Sequence, residues 1–120
     1  MRDEGSSDAR SCAGYLEVKQ RPLLRTEAVA VSSRLAALLS LQSTDQISLN
    51  LALLGDYRHA KALAGRLLAG GVEWSIDPSP EGLSGKVRAA RFTVTIGQVR
   101  AMGAVPALVL LAALVRRAAG

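Results

Sequence analysis

The chain has 120 residues, of which 49% are hydrophobic and 21% are charged, and its formal net charge is +5. This composition is typical of one globular domain and excludes a wholly disordered chain. Cys12 is the only cysteine and His59 the only histidine, so an intrachain disulfide and a Cys/His zinc cluster within one chain are both excluded.

The first 14 residues are polar and rich in serine and glycine, which predicts a flexible leader before a single α+β domain over residues 15–120. The leader has no hydrophobic signal region, so we expect a cytoplasmic protein. Cys12 is expected to be a free surface thiol there. Weak alternation over residues 15–20 predicts a short first strand, which Pro22 ends.

Apolar spacing after Thr26 predicts a helix over about 26–42. Alternation of Ile47, Leu49, Leu51 and Leu53 with smaller or polar residues then predicts a strand with one buried face. The next helix is predicted to start at an Asp56 cap, to carry a clean apolar stripe, and to stop at Gly70-Gly71.

Two further strands are predicted by alternation, one over residues 72–76 and a stronger one over residues 90–96, with Gly97 at its end. The proline-containing residues 78–82 between them predict a loop, so these two strands should form an antiparallel hairpin. From Ala101 to Val115 the chain is apolar almost all round, which predicts a C-terminal helix that starts or kinks at Pro106.

The predicted fold is therefore an α+β two-layer sandwich: a mixed four-stranded sheet in the order βαβαββ, plus the apolar C-terminal helix. Over about 15–96 this order resembles the sandwich of Alba-type chromatin proteins, of the C-terminal domain of bacterial initiation factor three, and of small sulfur-carrier proteins. The likeness is one of topology. The sulfur carriers use a Cys-Pro pair where this chain has Arg21-Pro22, so their chemistry is not predicted here.

A second resemblance is local. Residues Leu54-Gly55-Asp56-Tyr57, followed by Ala60, resemble the helix–turn–helix junction of a tetratricopeptide repeat. A single copy does not make an array, which needs about three repeats. The alternation before Leu54 favours a strand there instead.

Charge is distributed unevenly. Residues 15–81 carry seven basic and seven acidic side chains, and Glu81 is the last acidic residue of the chain. Beyond it lie only basic ones: Lys86, Arg88, Arg91, Arg100, Arg116 and Arg117. The positive charge is therefore a property of the C-terminal third, which favours an anionic partner or surface.

The apolar C-terminal helix must be covered on every side, and a small sheet covers only one of them. Either the helix is buried between the sheet and neighbouring helices, or its remaining surface is an interface. The predicted interface residues are Val105, Leu108, Val109, Leu111, Ala112 and Val115. The apolar run is short for a bilayer and contains a proline, so a membrane anchor is not favoured.

The sequence predicts no catalytic residue, metal site or cofactor. Asp56 lies one turn before His59, as an orienting acid would, but Asp56 is better explained as a helix cap. The favoured function is a non-enzymatic binding or assembly module that self-associates or docks a protein partner through its C-terminal helix. The alternative is nucleic-acid binding through the basic hairpin around residues 86–91, with Lys86, Arg88 and Arg91 on phosphates. An enzyme ranks third.

Overall fold

The computed structural model describes residues 2–68, 72–78 and 91–119. In chain order the elements are α1 (Arg2–Glu17), α2 (Arg25–Leu38), a 3₁₀ turn (Ser43–Asp45), α3 (Gln46–Leu53), α4 (Tyr57–Leu67), β1 (Trp74–Pro78), β2 (Phe92–Ile96), β3 (Val99–Gly103) and α5 (Pro106–Ala119). Over these ranges the protein is α+β, with four helices before the three-stranded sheet and one after it.

The sheet is antiparallel with the strand order β1-β2-β3, so β2 is central. Val94 of β2 lies opposite Ile76 of β1 and Ala101 of β3. Two residues connect β2 to β3, and the first, Gly97, has a φ of 59°, which glycine adopts without strain. The predicted antiparallel pairing of the strands near 72–76 and 90–96 is confirmed; the predicted loop that joins them lies mostly outside the described residues.

Helix α5 lies at the centre of the fold, in contact with α1, α4, β2 and β3. Every side chain from Ala107 to Val115 is at most 2% exposed. The helix begins at Pro106, the first of the two predicted alternatives, because a proline at the first helical position gives up no hydrogen bond. The core is therefore built around the apolar residues 107–115 of this helix.

The six residues of the predicted interface all lie in this core, and the most exposed of them, Val105, is only 8% exposed. They are Val105, Leu108, Val109, Leu111, Ala112 and Val115. The premise that the protein's own fold leaves α5 partly uncovered is wrong, because α1 and α4 cover the sides that the sheet does not. Burial within one protomer, the other outcome, is what the structure shows. Self-association and partner docking stay predictions, but the apolar residues 107–115 of α5 offer them no exposed surface.

Helix α1 replaces the predicted flexible leader and the predicted strand over 15–20. Its buried residues Ala9, Cys12, Ala13 and Leu16 follow helical spacing and pack towards α5. Small side chains make up most of this stripe, so it was hidden in a segment that is polar on average. Cys12 is a core residue rather than a surface thiol, and burial raises the pKa of its thiol.

Helix α3 corrects the strand predicted over residues 47–53. Leu49, Ala52 and Leu53 are fully buried, whereas Ile47 is 68% exposed, so the buried set follows helical spacing and not alternation. A short leucine-rich segment fits both periods. Burial against the neighbouring helices α2 and α4 selected the helix.

The predicted mixed four-stranded sheet in the order βαβαββ is consequently not found in the described ranges. Without a strand over 47–53 there is no parallel crossover, and Val99–Gly103, assigned by the sequence to the segment of the C-terminal helix, forms the edge strand β3 instead. The topological resemblance to the three sandwich families is therefore not confirmed. The predicted helix over 26–42 is confirmed as the shorter α2.

Helices α3 and α4 form a helix–turn–helix, in which a short turn over residues 54–56 joins them. The Asp56 side chain accepts a hydrogen bond from the Arg58 N–H over 3.0 Å and caps α4 as predicted. Gly55 has a φ of 106°, and a Cβ there would lie 2.8 Å from Cγ of Pro22. The turn therefore needs glycine for its backbone and for its close contact with the chain before α2.

The contacts of Glu27 at the start of α2 make the stability of the protein depend on pH. Glu27 accepts the Leu24 N–H over 2.8 Å and also contacts Lys19 and Arg21, and these bonds, the backbone bond first, lower the pKa of Glu27 to about 2 from 4.5. Since the folded pKa is the lower one, this stabilisation is present above pH 4.5 and is lost as the pH falls towards 2.

We expect the melting temperature of Glu27→Gln to fall less between pH 4.5 and 2 than that of the parent, as measured by circular dichroism. Equal falls in both proteins would contradict the assignment to Glu27.

Candidate functional site

An open groove of about 510 Å³ lies between the C-terminal end of α1 and the edge strand β3. We call it the basic groove, and it is lined by Glu17, Val18, Gln20, Arg91, Arg100, Ala101, Met102 and Arg116. Three of the six basic residues that follow Glu81 meet here from different parts of the chain. Half of the basic residues that follow Glu81 are thus gathered on one surface.

The three arginines come from separate elements. Arg91 immediately precedes β2, Arg100 lies in β3, and Arg116 lies in the last turn of α5. Arg100 is exposed and Arg91 is half-buried. Among the residues that the structure describes, neither of these two forms an ion pair with a carboxylate, whereas Arg116 pairs with Glu17.

Glu17 connects the elements that form the groove. One carboxylate oxygen accepts the backbone N–H of Met102 over 3.0 Å, and the other accepts a hydrogen bond from the Arg116 guanidinium. Its side chain is only 18% exposed. Glu17 thereby ties the end of α1 to both β3 and α5, two elements more than 80 residues away in the chain.

Gly103 allows α1 to approach the sheet so closely. A Cβ at this position would lie 2.9 Å from the carbonyl oxygen of Glu17 and 2.9 Å from Cγ2 of Val109. The glycine therefore lets β3 sit between the end of α1 and helix α5, and this contact positions the Glu17 carboxylate at the strand edge.

The groove carries an excess of positive charge. Three guanidinium groups face one carboxylate, which leaves a formal charge of +2. A guanidinium is a planar donor that matches carboxylates and phosphates with two parallel hydrogen bonds. In addition, Nε of Arg116 is buried and has no hydrogen-bond partner among the described residues. The arrangement is suited to holding an anion.

The residues predicted to bind nucleic acid are only partly placed by the structure. Lys86 and Arg88 lie outside the described residues, and Arg91 lines the basic groove. The sequence put Arg91 in a predicted binding site, but it gave Arg100 and Arg116 only as members of the basic set after Glu81. It predicted no role for Glu17. Only the lack of carboxylates after Glu81 pointed to the arginines, and no sequence signal links Glu17 to them.

His59 lies between a hydroxyl and a carboxylate, as in a hydrolytic triad. Its Nδ1 is 3.5 Å from Oγ of Ser48, and its Nε2 is 3.8 Å from Oδ2 of Asp56. The second distance is too long for a hydrogen bond, and Asp56 already caps α4 and contacts Arg58. The three side chains therefore do not form a connected triad, and His59 does not line the basic groove.

A second cleft of about 440 Å³ lies between α1 and α2, with Ser11, Cys12, Tyr15, Glu27, Ala30, Val31 and Arg34 as its lining. The Cys12 thiol has a raised pKa because of burial, which keeps it protonated and a poor nucleophile. Arg34 already faces Asp8 at 3.6 Å, and Glu27 holds the start of α2. The charged groups of this cleft are therefore engaged in structural contacts.

The described residues form neither a membrane-spanning helix nor a group of metal-ligating side chains. Within residues 2–68, 72–78 and 91–119, no helix combines the length and hydropathy needed to cross a bilayer. Over the same part of the chain, no three His, Cys, Asp or Glu side chains are grouped so that they could hold a metal ion.

Comparison with known proteins adds no relative: no protein-family model, no curated protein and no solved structure matches this chain. The basic groove is the feature of the described residues best suited to binding. Its features are an open shape, an excess of positive charge, and an internal carboxylate that is already held at its wall.

Proposed function

We propose that the protein is a non-enzymatic binding module that docks an acidic segment of a protein partner in the basic groove. The observation that carries this proposal is the convergence of Arg91, Arg100 and Arg116 on one open groove. Opposite charges across an interface steer encounter and select the partner. The docking surface is thus moved from α5, where the sequence suggested it, to the edge of the sheet.

The apolar side chains of the groove, and the absence of aromatic ones from its lining, favour a protein segment over a nucleic acid. Val18 is 69% exposed at the groove wall, and Met102 is half-buried there, so side chains of a peptide would find apolar contacts. The two aromatic residues of the sheet are both half-buried: Trp74 packs against the core, and Phe92 shares the face of β2 that carries the buried Val94. Base stacking, which supports most single-strand binding, has no platform within the groove.

Nucleic-acid binding is the alternative. It is supported by the net charge of +5 and by the neighbourhood of Lys86, Arg88 and Arg91 in the sequence. Self-association is also kept as a prediction, as is a cytoplasmic location. The groove on its own favours the acidic segment, because Glu17 shows a carboxylate already bound between a strand-edge N–H and a guanidinium.

The proposal is tested with a fluorescein-labelled peptide of alternating glutamate and valine, whose binding is followed by fluorescence anisotropy. We expect saturable binding that weakens as salt is added. The double variant Arg91→Glu/Arg100→Glu should bind roughly tenfold more weakly, because two charge reversals at a surface cost on the order of 1.4 kcal/mol.

The matched control is Arg25→Glu/Arg117→Glu, which changes the net charge by the same amount at two exposed positions outside the groove. It should bind the peptide nearly as well as the parent. Equal losses in the two double variants would mean that net charge, and not the groove, binds the peptide. Tighter binding of oligo(dT) than of the peptide, lost in the groove variant alone, would put nucleic acid in the groove and overturn the choice of a protein partner.

A further inference from the structure

We propose that the partner binds by strand addition: an extended acidic segment pairs with the outer edge of β3 and places a carboxylate at Arg100. This inference rests on the proposed function and adds the binding geometry and the chemical pattern of the ligand. It follows from the position of β3, from the direction of its backbone groups and from the way in which Glu17 is bound.

Strand β3 is an edge strand, and its backbone groups can be assigned a direction. In an antiparallel pair, successive residues alternate between donating to the neighbouring strand and pointing away from it. The N–H of Met102 donates to Glu17 and so points away from β2. The N–H and C=O of Arg100, two residues earlier on the same strand, therefore point to the same outer side. Around the exposed Arg100 this edge is a template for another strand, whereas at Met102 it is occupied by Glu17.

Glu17 shows what this edge binds. Its carboxylate accepts hydrogen bonds from the Met102 N–H and from the Arg116 guanidinium. It therefore occupies the position at which a neighbouring strand would offer a carbonyl oxygen. About 6.6 Å further along the strand lies the N–H of Arg100, a residue that itself carries a guanidinium. Arg100 lines the groove at this point, and Arg91 lines it beyond the Gly103 end of the strand. A second carboxylate, supplied by the partner, fits that position.

The two edges of the sheet differ in charge, which directs the partner to β3. The opposite edge strand, β1, carries the exposed Asp77 and follows the exposed Glu73, and it ends in Pro78, which has no N–H to donate. An acidic segment is repelled there and attracted at β3. Strand addition at the β3 edge also explains why the ligand is expected to be extended, with acidic residues at alternate positions on one face.

The test compares two peptides that share the alternating glutamate–valine sequence and differ only in which alternate amides are N-methylated. One set of amides faces β3 in the proposed complex, and the other faces solvent. Methylation of the set that faces β3 should weaken binding roughly tenfold or more, because each blocked amide loses a hydrogen bond to the edge. Methylation of the other set should leave the affinity close to that of the unmethylated peptide.

A second readout is the exchange of the Arg100 amide hydrogen, followed by nuclear magnetic resonance. It should slow when the unmethylated peptide binds, and the exchange of the Val94 amide in the central strand β2 serves as the internal control. If the unmethylated peptide binds and both methylated peptides bind equally well, strand addition is overturned while the proposed function stands. If the unmethylated peptide does not bind at all, both proposals are overturned.

Discussion

Replacement of Leu111 by alanine is expected to lower the free energy of unfolding by about 2–5 kcal/mol. Leu111 is completely buried in α5, where it is surrounded by the rest of the fold. The shorter side chain loses the transfer free energy of the missing carbons and leaves a cavity that the close-packed neighbours only partly fill. Urea denaturation followed by circular dichroism measures the loss, and light scattering on the same samples measures the mass. We expect a destabilised protein of unchanged mass.

The matched control is Leu24→Ala, because Leu24 is 56% exposed and its N–H, which bonds Glu27, is retained. Its effect should stay within about 0.5 kcal/mol. These variants decide between the two roles that the sequence allowed for α5. A core helix loses stability when Leu111 is shortened, whereas an interface helix loses assembly. A smaller mass with an unchanged denaturation midpoint in Leu111→Ala would contradict the burial of α5.

Replacement of Glu17 by alanine is expected to cost about 2–3 kcal/mol of stability. The variant removes the acceptor of the Met102 N–H and the ion-pair partner of Arg116. The Arg116 side chain is only 31% exposed, so its charge loses a partner in a place where water compensates poorly. The end of α1 would also lose its side-chain bonds to β3 and α5. Chemical denaturation of the parent and the variant gives the difference.

The control for this loss is Glu73→Ala, which removes an exposed carboxylate from the residue before β1. It should change the free energy of unfolding by less than about 0.5 kcal/mol. Glu17→Ala should also bind the acidic peptide more tightly, because the Met102 N–H and the Arg116 guanidinium become available to a ligand carboxylate. A stability loss no larger than that of Glu73→Ala would contradict the anchoring role of Glu17.

Several local features were predictable from the sequence because they depend on residues close together in the chain. The Asp56 cap, the glycine at the end of β2 and the start of α5 at Pro106 are of this kind. The alternation of β2 also gave its true period, since Val94 and Ile96 are buried and lie on one face. Such features are determined by backbone chemistry and by short-range periodicity.

The basic groove was predictable only in its charge. The excess of arginine after Glu81 indicated an anionic partner, but the groove also needs Glu17, which lies 99 residues before Arg116. Nothing near Glu17 in the chain distinguishes it from an exposed carboxylate. The site exists because Gly103 lets the end of α1 lie against β3, and this contact is visible only in the folded protein.

The sequence by itself determined the α+β composition, the antiparallel pairing of β1 with β2, the capped helix α4 and the location of positive charge in the C-terminal third. Only the tertiary structure decided that residues 2–17 and 46–53 are helices and that α5 is covered within one protomer. Both helices are short or rich in small residues, so their periodicity agrees with more than one local structure. The free energy that selects between those structures is burial against distant elements, and it is available only when α1, α4 and the sheet enclose α5 together.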